Sequence, residues 1–148
     1  MRIFLDANIL FSAGKSAGAM RGFLEVLKSS GHTLVADAYV VEEARRNLEA
    51  KFPASLKDFE VLLQRLESSA TLRCFLPPEL APQLPEKDRP VLAAAIQHRC
   101  DFLLTGDKSH FGSLYGKKLE CVTIYSPAGL AKHLCDGVLT DGRGLQVD

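Results

Sequence analysis

The sequence predicts an α/β fold, with a mainly parallel sheet of four to five strands covered on both faces by helices. Three observations carry this. Short apolar runs of strand length alternate with stretches whose apolar residues recur at helical spacing. The elements read β-α-β-α-α-β-α-β-α-β-α, with no hairpin signal among them. Two of the apolar runs, Arg2–Leu5 and Phe102–Thr105, are followed by aspartates, Asp6 and Asp107. In open parallel sheets the crevice beyond the carboxyl ends of the strands is where ligands bind. Neighbouring strands would put both aspartates in that crevice.

Taken in order, Arg2–Leu5 is the run expected of a buried strand. Residues 7–17 hold Ser, Ala, Gly and Lys, and read as a loop marked by Gly14 and Gly18. The stretch 19–29 has helical spacing through Phe23, Leu24 and Leu27, and Gly31 is its stop. Thr33–Ala36 is a second short strand, and Asp37 caps the helix that follows over 38–50. Val41, Ala44 and Leu48 form that helix's stripe. Glu43 lies beside the stripe in the first turns, near the carboxyl edge of the sheet, whereas Glu42 points outward. Pro53 ends the helix, and Ser55 with Asp58 suggests a capping box for the next. Phe59, Leu62, Leu63 and Leu66 form its buried side.

Residues 71–75 read as a third strand. Residues 76–85 contain Pro77, Pro78, Pro82 and Pro85 and form a loop within one domain. A helix over 87–99 follows, with Val91, Leu92, Ala95 and Ile96 buried and Asp88 at its start, where an anion is favoured. After Phe102–Thr105 comes a turn or two of helix and a loop carrying His110. Cys121–Ile124 is the last strand. Ser126-Pro127 is an N-cap and N1 pair for a helix over 126–134. Residues 1–135 are thus one domain, and 136–148, with Gly137, Gly142 and Gly144, a flexible tail.

The 18 basic residues balance the 18 acidic ones. A neutral chain does not coat nucleic acid by general electrostatics. It can still be an enzyme that grips nucleic acid through a local basic rim and bound metal. Cys74, Cys100, Cys121 and Cys135 match no zinc or CxxC spacing, so four free thiols, mostly buried or half-buried, are expected in a reducing cytoplasm. No signal peptide and no membrane-spanning run is read.

Asp6, Glu43, Asp88 and Asp107 are all placed at the same edge of the sheet. Four converging carboxylates repel one another, and a divalent ion resolves the conflict. Mg²⁺ and Mn²⁺ take oxygen ligands and bind phosphates, so the expected chemistry is metal-assisted phosphodiester hydrolysis. Asn8, Thr105 and Ser109 are candidates for orienting ligands or water. Arg45, Arg46, Arg89 and Lys108 are candidates for holding a phosphate backbone. Each has an ordinary reading too: Asp6 as a loop cap, Glu43 as a surface residue, Asp88 as an N-cap, Asp107 as a turn residue, and the basic groups as solvated charge. His110 is read as an ordinary loop or supporting histidine.

These motifs resemble the PIN domain family. Leu5-Asp6-Ala7-Asn8-Ile9-Leu10 is similar to its opening motif. Val40-Val41-Glu42-Glu43-Ala44 resembles the helix bearing its second acid, assigned to Glu43 with Glu42 as the alternative. Asp88-Arg89-Pro90-Val91-Leu92 resembles the third acidic motif, and Leu103-Leu104-Thr105-Gly106-Asp107-Lys108-Ser109-His110-Phe111 the fourth. Ile124-Tyr125-Ser126-Pro127 resembles the closing strand and helix. The resemblance implies a three-layer α/β/α sandwich and a Mg²⁺- or Mn²⁺-dependent endoribonuclease acting on RNA. It also implies a homodimer and, for a toxin of the VapBC type, a small antitoxin partner.

Three rivals are weighed. A haloacid-dehalogenase-type phosphatase wants an aspartate where this chain has Asn8. A receiver domain wants an acidic cluster by the first strand and a lysine pair, neither of which is found. A catalytically silent PIN-fold RNA-binding or interaction module is the main alternative, and the complete set of four carboxylates argues against it.

Overall fold

The computed structural model describes residues 1–70 and 75–140. Its strands are β1 (Arg2–Leu5), β2 (Thr33–Asp37), β3 (Glu67–Ser69), β4 (Phe102–Leu104), β5 (Lys118–Leu119) and β6 (Val122–Tyr125). Its helices are α1 (Ala7–Lys15), α2 (Ala19–Ser29), α3 (Ala38–Lys51), α4 (Leu56–Leu63), α5 (Arg89–Gln97), α6 (Lys108–Phe111) and α7 (Pro127–Thr140). The strands form one sheet in the order β3-β2-β1-β4-β6-β5. Every pairing is parallel except β5 with β6. This is the expected α/β sandwich.

The order of the strands explains where the site falls. From β1 the chain winds outward through β2 to β3, then returns to the other side of β1 for β4 and β6. Right-handed crossovers in opposite directions put α1–α4 on one face and α5 on the other. The crossover direction reverses between β1 and β4, so their carboxyl ends flank the switch point where such sheets bind ligands. The two strands pair directly, Leu5 opposite Leu104, and Asp6 N–H donates to the Leu104 carbonyl at 3.0 Å. Ile3, Phe4 and Leu5 have no exposed surface. A strand covered on both faces has to be apolar at every position.

Several local expectations hold. Helix α2 spans the expected residues, and Gly31, at φ +93°, ends it in a conformation that costs glycine little. Asp37 accepts from Val40 N–H at 3.2 Å, and Ser126 Oγ accepts from Gly129 N–H at 3.0 Å.

Other elements differ. Residues 7–15, read as a loop, are helix α1. Its small residues mark close packing: Ala7, Ala13 and Gly14 are buried with Ile9 and Leu10. A Cβ on Gly14 would lie 2.9 Å from Phe59 Cδ1 and 3.0 Å from Leu48 Cδ1, so the missing side chain lets α1 pack on α3 and α4. Among the described residues the third strand is Glu67–Ser69, and the strand expected over 71–75 falls almost wholly outside them. Residues 71–74, Cys74 among them, lie outside the described residues, and Phe75 is 96% exposed. Among the described residues the sheet has six strands, one more than expected, because Lys118–Leu119 folds back on β6 in a hairpin whose turn has Glu120 at φ +56°.

The Ser55–Asp58 capping box does not form. Ser55 Oγ donates to the Lys15 carbonyl, and Asp58 pairs with Arg21 at 3.6 Å. Helix α7 continues to Thr140, through the expected start of the tail at Asp136. One Gly137 costs a helix only about 1 kcal/mol. Residues 141–148 lie outside the described residues. Among the described thiols Cys100 is buried, whereas Cys121 and Cys135 are exposed, not half-buried as expected. Burial pushes the Cys100 thiol up to about 12, which keeps it protonated and unreactive.

The glycine contact gives a test of the packing. Gly14→Val is expected to lower stability by about 1–3 kcal/mol, measured by urea denaturation, because the Phe59 ring is fully buried and has no room to retreat. An unchanged midpoint would contradict the close α1–α4 contact.

Candidate active site

Asp6 stands at the end of β1 with only 6% of its surface exposed. Its Oδ1 accepts from Ala7 N–H at 2.7 Å, at the start of α1. Its Oδ2 accepts from Thr105 Oγ1 at 2.7 Å and from Asn8 Nδ2 at 3.2 Å. Thr105 is itself fully buried beyond β4, and its Oγ1 also accepts from Asp107 N–H at 3.1 Å. Asn8 closes the loop: its Oδ1 accepts from Gly106 N–H at 2.8 Å. Asn8 and Thr105 thus both bind the two strand ends together. Burial raises the Asp6 carboxyl to about 6, against the Thr105 and Ala7 hydrogen bonds, with the negative charges of Glu43 and Asp88 adding to the rise.

Asp88 ends the 3-10 turn Glu86–Asp88 before α5 and is nine-tenths buried. It does not cap that helix with its side chain. Asp107 does cap α6, its Oδ1 accepting from His110 N–H at 3.2 Å. That turn brings His110 back over both acids: His110 Nδ1 lies 2.9 Å from Asp88 Oδ2 and 2.9 Å from Asp107 Oδ2. Neither Asp88 Oδ2 nor His110 Nδ1 has a hydrogen-bond partner, although both atoms are buried. Burial raises the Asp88 carboxyl. The facing His110 opposes that rise and the charge of Asp107 adds to it.

Glu43 is exposed on α3 and is the largest of the charges that raise Asp6. Glu42 is turned away, in an ion pair with Arg45, which also bonds Glu60 on α4 at 3.0 Å. Of the two glutamates, Glu43 is therefore the one coupled to the site. Tyr39, four residues before it, donates from its hydroxyl to the Lys87 carbonyl at 2.8 Å and so ties α3 to the turn bearing Asp88. Burial, then Glu43, Asp88 and Asp6, raise its phenol. Tyr115 donates to the Thr105 carbonyl at 2.9 Å.

The basic candidates separate. Arg89 donates to the carbonyls of Pro77, Leu80 and Ala81 and holds the proline-rich loop. Arg45 sits between Glu42 and Glu60. Arg46 shares a groove with Tyr39, Glu42 and Glu43, and Lys108 is exposed beside Asp107, as is Ser109 after it. Of the four, Arg46 thus lies beside Glu43 and Lys108 beside Asp107.

The donor set suits a divalent ion. Ligand atoms of Asp88, Asp107 and His110 all lie within 4.8 Å of one another, and two of the buried donors lack partners. Asp6 lies outside that trio but is electrostatically coupled to it through Asp88. His110, read from the sequence as an ordinary loop or supporting histidine, lies against both acids. The signal for that contact was its spacing from Asp107, since residues three apart share a helix face.

The sequence profile of the PIN domain matches residues 2–109. Among solved structures, VapBC2 from Rickettsia felis, bound to a DNA fragment from its promoter, matches with a TM-score of 0.60 and 17% identity. That match covers 85% of this chain and 98% of the other. VapC20 from Mycobacterium tuberculosis, described as a toxin that cleaves the sarcin-ricin loop, matches with a TM-score of 0.52 and 13% identity. It covers 75% of this chain and 94% of that one. At such identities the likeness is one of fold. No curated protein matches the chain.

The raised Asp6 carboxyl makes a pH prediction. A folded value of about 6, above the free value of 3.8, means that the folded state holds the proton more tightly than the unfolded chain. The resulting stability is complete below about pH 3.8 and is lost as pH rises through about 6. Metal-free Asp6→Asn protein is therefore expected to be more stable than the parent at pH 8, by about 1–2 kcal/mol, with the gap closing toward pH 4. Denaturation in EDTA at both pH values measures it. A variant less stable than the parent at pH 8 would contradict the burial account.

Proposed function

The chain belongs to the PIN domain family, and from that premise we propose that it is a metal-dependent endoribonuclease, hydrolysing RNA phosphodiester bonds with Mg²⁺ or Mn²⁺. The observation that carries this reading is the buried, unpartnered Asp88 Oδ2 facing Asp107 and His110 beside the switch-point aspartate Asp6. Asp6, Glu43, Asp88 and Asp107 are the proposed catalytic set, spanning residues 1–135 as one nuclease domain. When bound, a divalent ion supplies positive charge to a phosphate and acidifies water in the site.

The chain's own residues do the rest. Asp88 and Asp107 would hold the ion, and Asp6, coupled electrostatically to Asp88, would add its charge. Thr105 and Asn8 fix the Asp6 carboxylate and the 105–107 turn, so the acids do not reorganise as a substrate arrives. Glu43, whose charge is felt at Asp6, is the proposed acceptor of a proton from water. Arg46, which shares a groove with Glu43, and Lys108, next to Asp107, are the proposed grips for the RNA backbone in a chain of zero net charge.

The toxin reading is the finer part of the proposal. The fold is shared with VapBC2 and with VapC20, so a small antitoxin protein is the proposed partner, with a cytoplasmic homodimer as the proposed assembly. Among the described residues no helix is long and apolar enough to cross a membrane.

The test is cleavage of a panel of single-stranded and structured RNAs by purified protein with Mg²⁺ or Mn²⁺. Cutting is expected with metal and not with EDTA. Asp107→Asn is expected to lower the rate by at least about 100-fold, since the ion supplies several kcal/mol of charge stabilisation. Folded protein that binds RNA but cuts it with neither ion would favour the silent-module alternative.

A further inference from the structure

We infer that His110 is itself a metal ligand, making with Asp88 and Asp107 a mixed nitrogen–oxygen site that selects first-row transition ions such as Mn²⁺ over Mg²⁺. The inference rests on the divalent-ion reading above and adds to it the identity of a ligand and the class of ion.

Geometry supports the assignment first. Ligands about 2.1 Å from an octahedral ion, on adjacent corners, lie about 3.0 Å apart. His110 Nδ1 is 2.9 Å from an oxygen of Asp88 and 2.9 Å from an oxygen of Asp107, so both spacings match an octahedron's edge. The second support is the bonding. An imidazolium serving as a permanent counter-ion would aim its N–H at one of the carboxylates. Here Nδ1 and Asp88 Oδ2 are both buried without a hydrogen-bond partner, although Asp88 is nine-tenths buried. Two buried donor atoms held this close without an aligned hydrogen bond keep lone pairs that a cation between them can take. Third, the position is built in. Asp107 Oδ1 accepts from the His110 backbone N–H at 3.2 Å, so the turn that fixes one carboxylate also fixes the imidazole over it.

The chemistry then sets the preference. Mg²⁺ takes hard oxygen ligands and keeps much of its water. Imidazole nitrogen favours transition ions, increasingly along the Irving–Williams order. Replacing one carboxylate corner by imidazole also removes a negative charge from a crowded acidic crevice, which weakens the hold on Mg²⁺ most.

The experiment uses the metal-stripped full chain and Mn²⁺ as the probe. Pulsed electron paramagnetic resonance of the Mn²⁺ complex is expected to show hyperfine coupling to a directly bound ¹⁴N. Labelling with ¹⁵N-histidine should replace that coupling without altering any side chain, so the result does not depend on a variant folding. His110→Gln, which offers oxygen in place of nitrogen, should abolish the coupling. It should also lower the ratio of Mn²⁺ to Mg²⁺ affinity by at least about tenfold in calorimetric titrations. The remaining histidines lie elsewhere. His98 is bonded to Ser69, and His133 is packed between Phe102 and Tyr125. His32 is in the loop after α2. Mn²⁺ bound without nitrogen coupling would overturn this inference and leave the nuclease reading standing. Folded protein that binds neither ion would overturn both.

Discussion

The hydrogen bond from Thr105 to Asp6 holds the two halves of the site together. It spans the two central strands at the one place where the winding of the sheet reverses. A carboxylate buried there without a donor would cost several kcal/mol. Thr105 supplies that donor at 2.7 Å and accepts the Asp107 N–H with the same oxygen. One hydroxyl thus fixes the acid after β1 and the backbone of the acid after β4. Asn8 repeats the connection in the other direction, from the start of α1 to Gly106. Pairing of β1 with β4 brings these groups within reach, and the polar network then holds them in one arrangement.

The same arrangement concentrates negative charge. Asp6, Asp88 and Asp107 each sit at or just before the start of a helix, α1, α5 and α6 respectively. Helix starts favour anions, and burial works against them. The arginines that might relieve the site are held elsewhere: Arg89 by three carbonyls, and Arg45 by Glu42 and Glu60. These two arginines are thereby committed to structure, and the crevice stays acidic. Such a crevice lowers the stability of the metal-free chain, a cost that the proposed cation would offset. His110, between two of the acids, fits the same logic because imidazole donates an electron pair without adding another negative charge.

The parts of this design that were legible in the sequence were those written by local rules. The apolar run of β1 and its terminal aspartate, the Asp37 cap and the Ser126-Pro127 start each depend on a few adjacent residues. Helix α1 was not legible, because Ser, Ala and Gly look like a loop until Phe59 and Leu48 are seen to need the space at Gly14. The short edge strand β3 ends in two serines and lacks the apolar signal of a buried strand. The β5–β6 hairpin turns on Glu120 in a left-handed conformation, without the glycine or asparagine that marks such turns. In the site, aspartates at strand ends could be read singly. His110 could not, because its meaning depends on Asp88, which comes from a different element and meets it only through the fold. Arg89 was misleading for the same reason: being next to Asp88 in sequence says nothing of the carbonyls that claim its side chain.

The central claim is that the carboxyl ends of β1 and β4 form a cation site built by these acids. The most direct measurement is anomalous diffraction from crystals of the chain soaked with Mn²⁺. The account predicts a strong peak within bonding distance of Asp88, Asp107 and His110. Crystals that bind Mn²⁺ only at other surfaces, or show no peak with this edge of the sheet open to solvent, would contradict it.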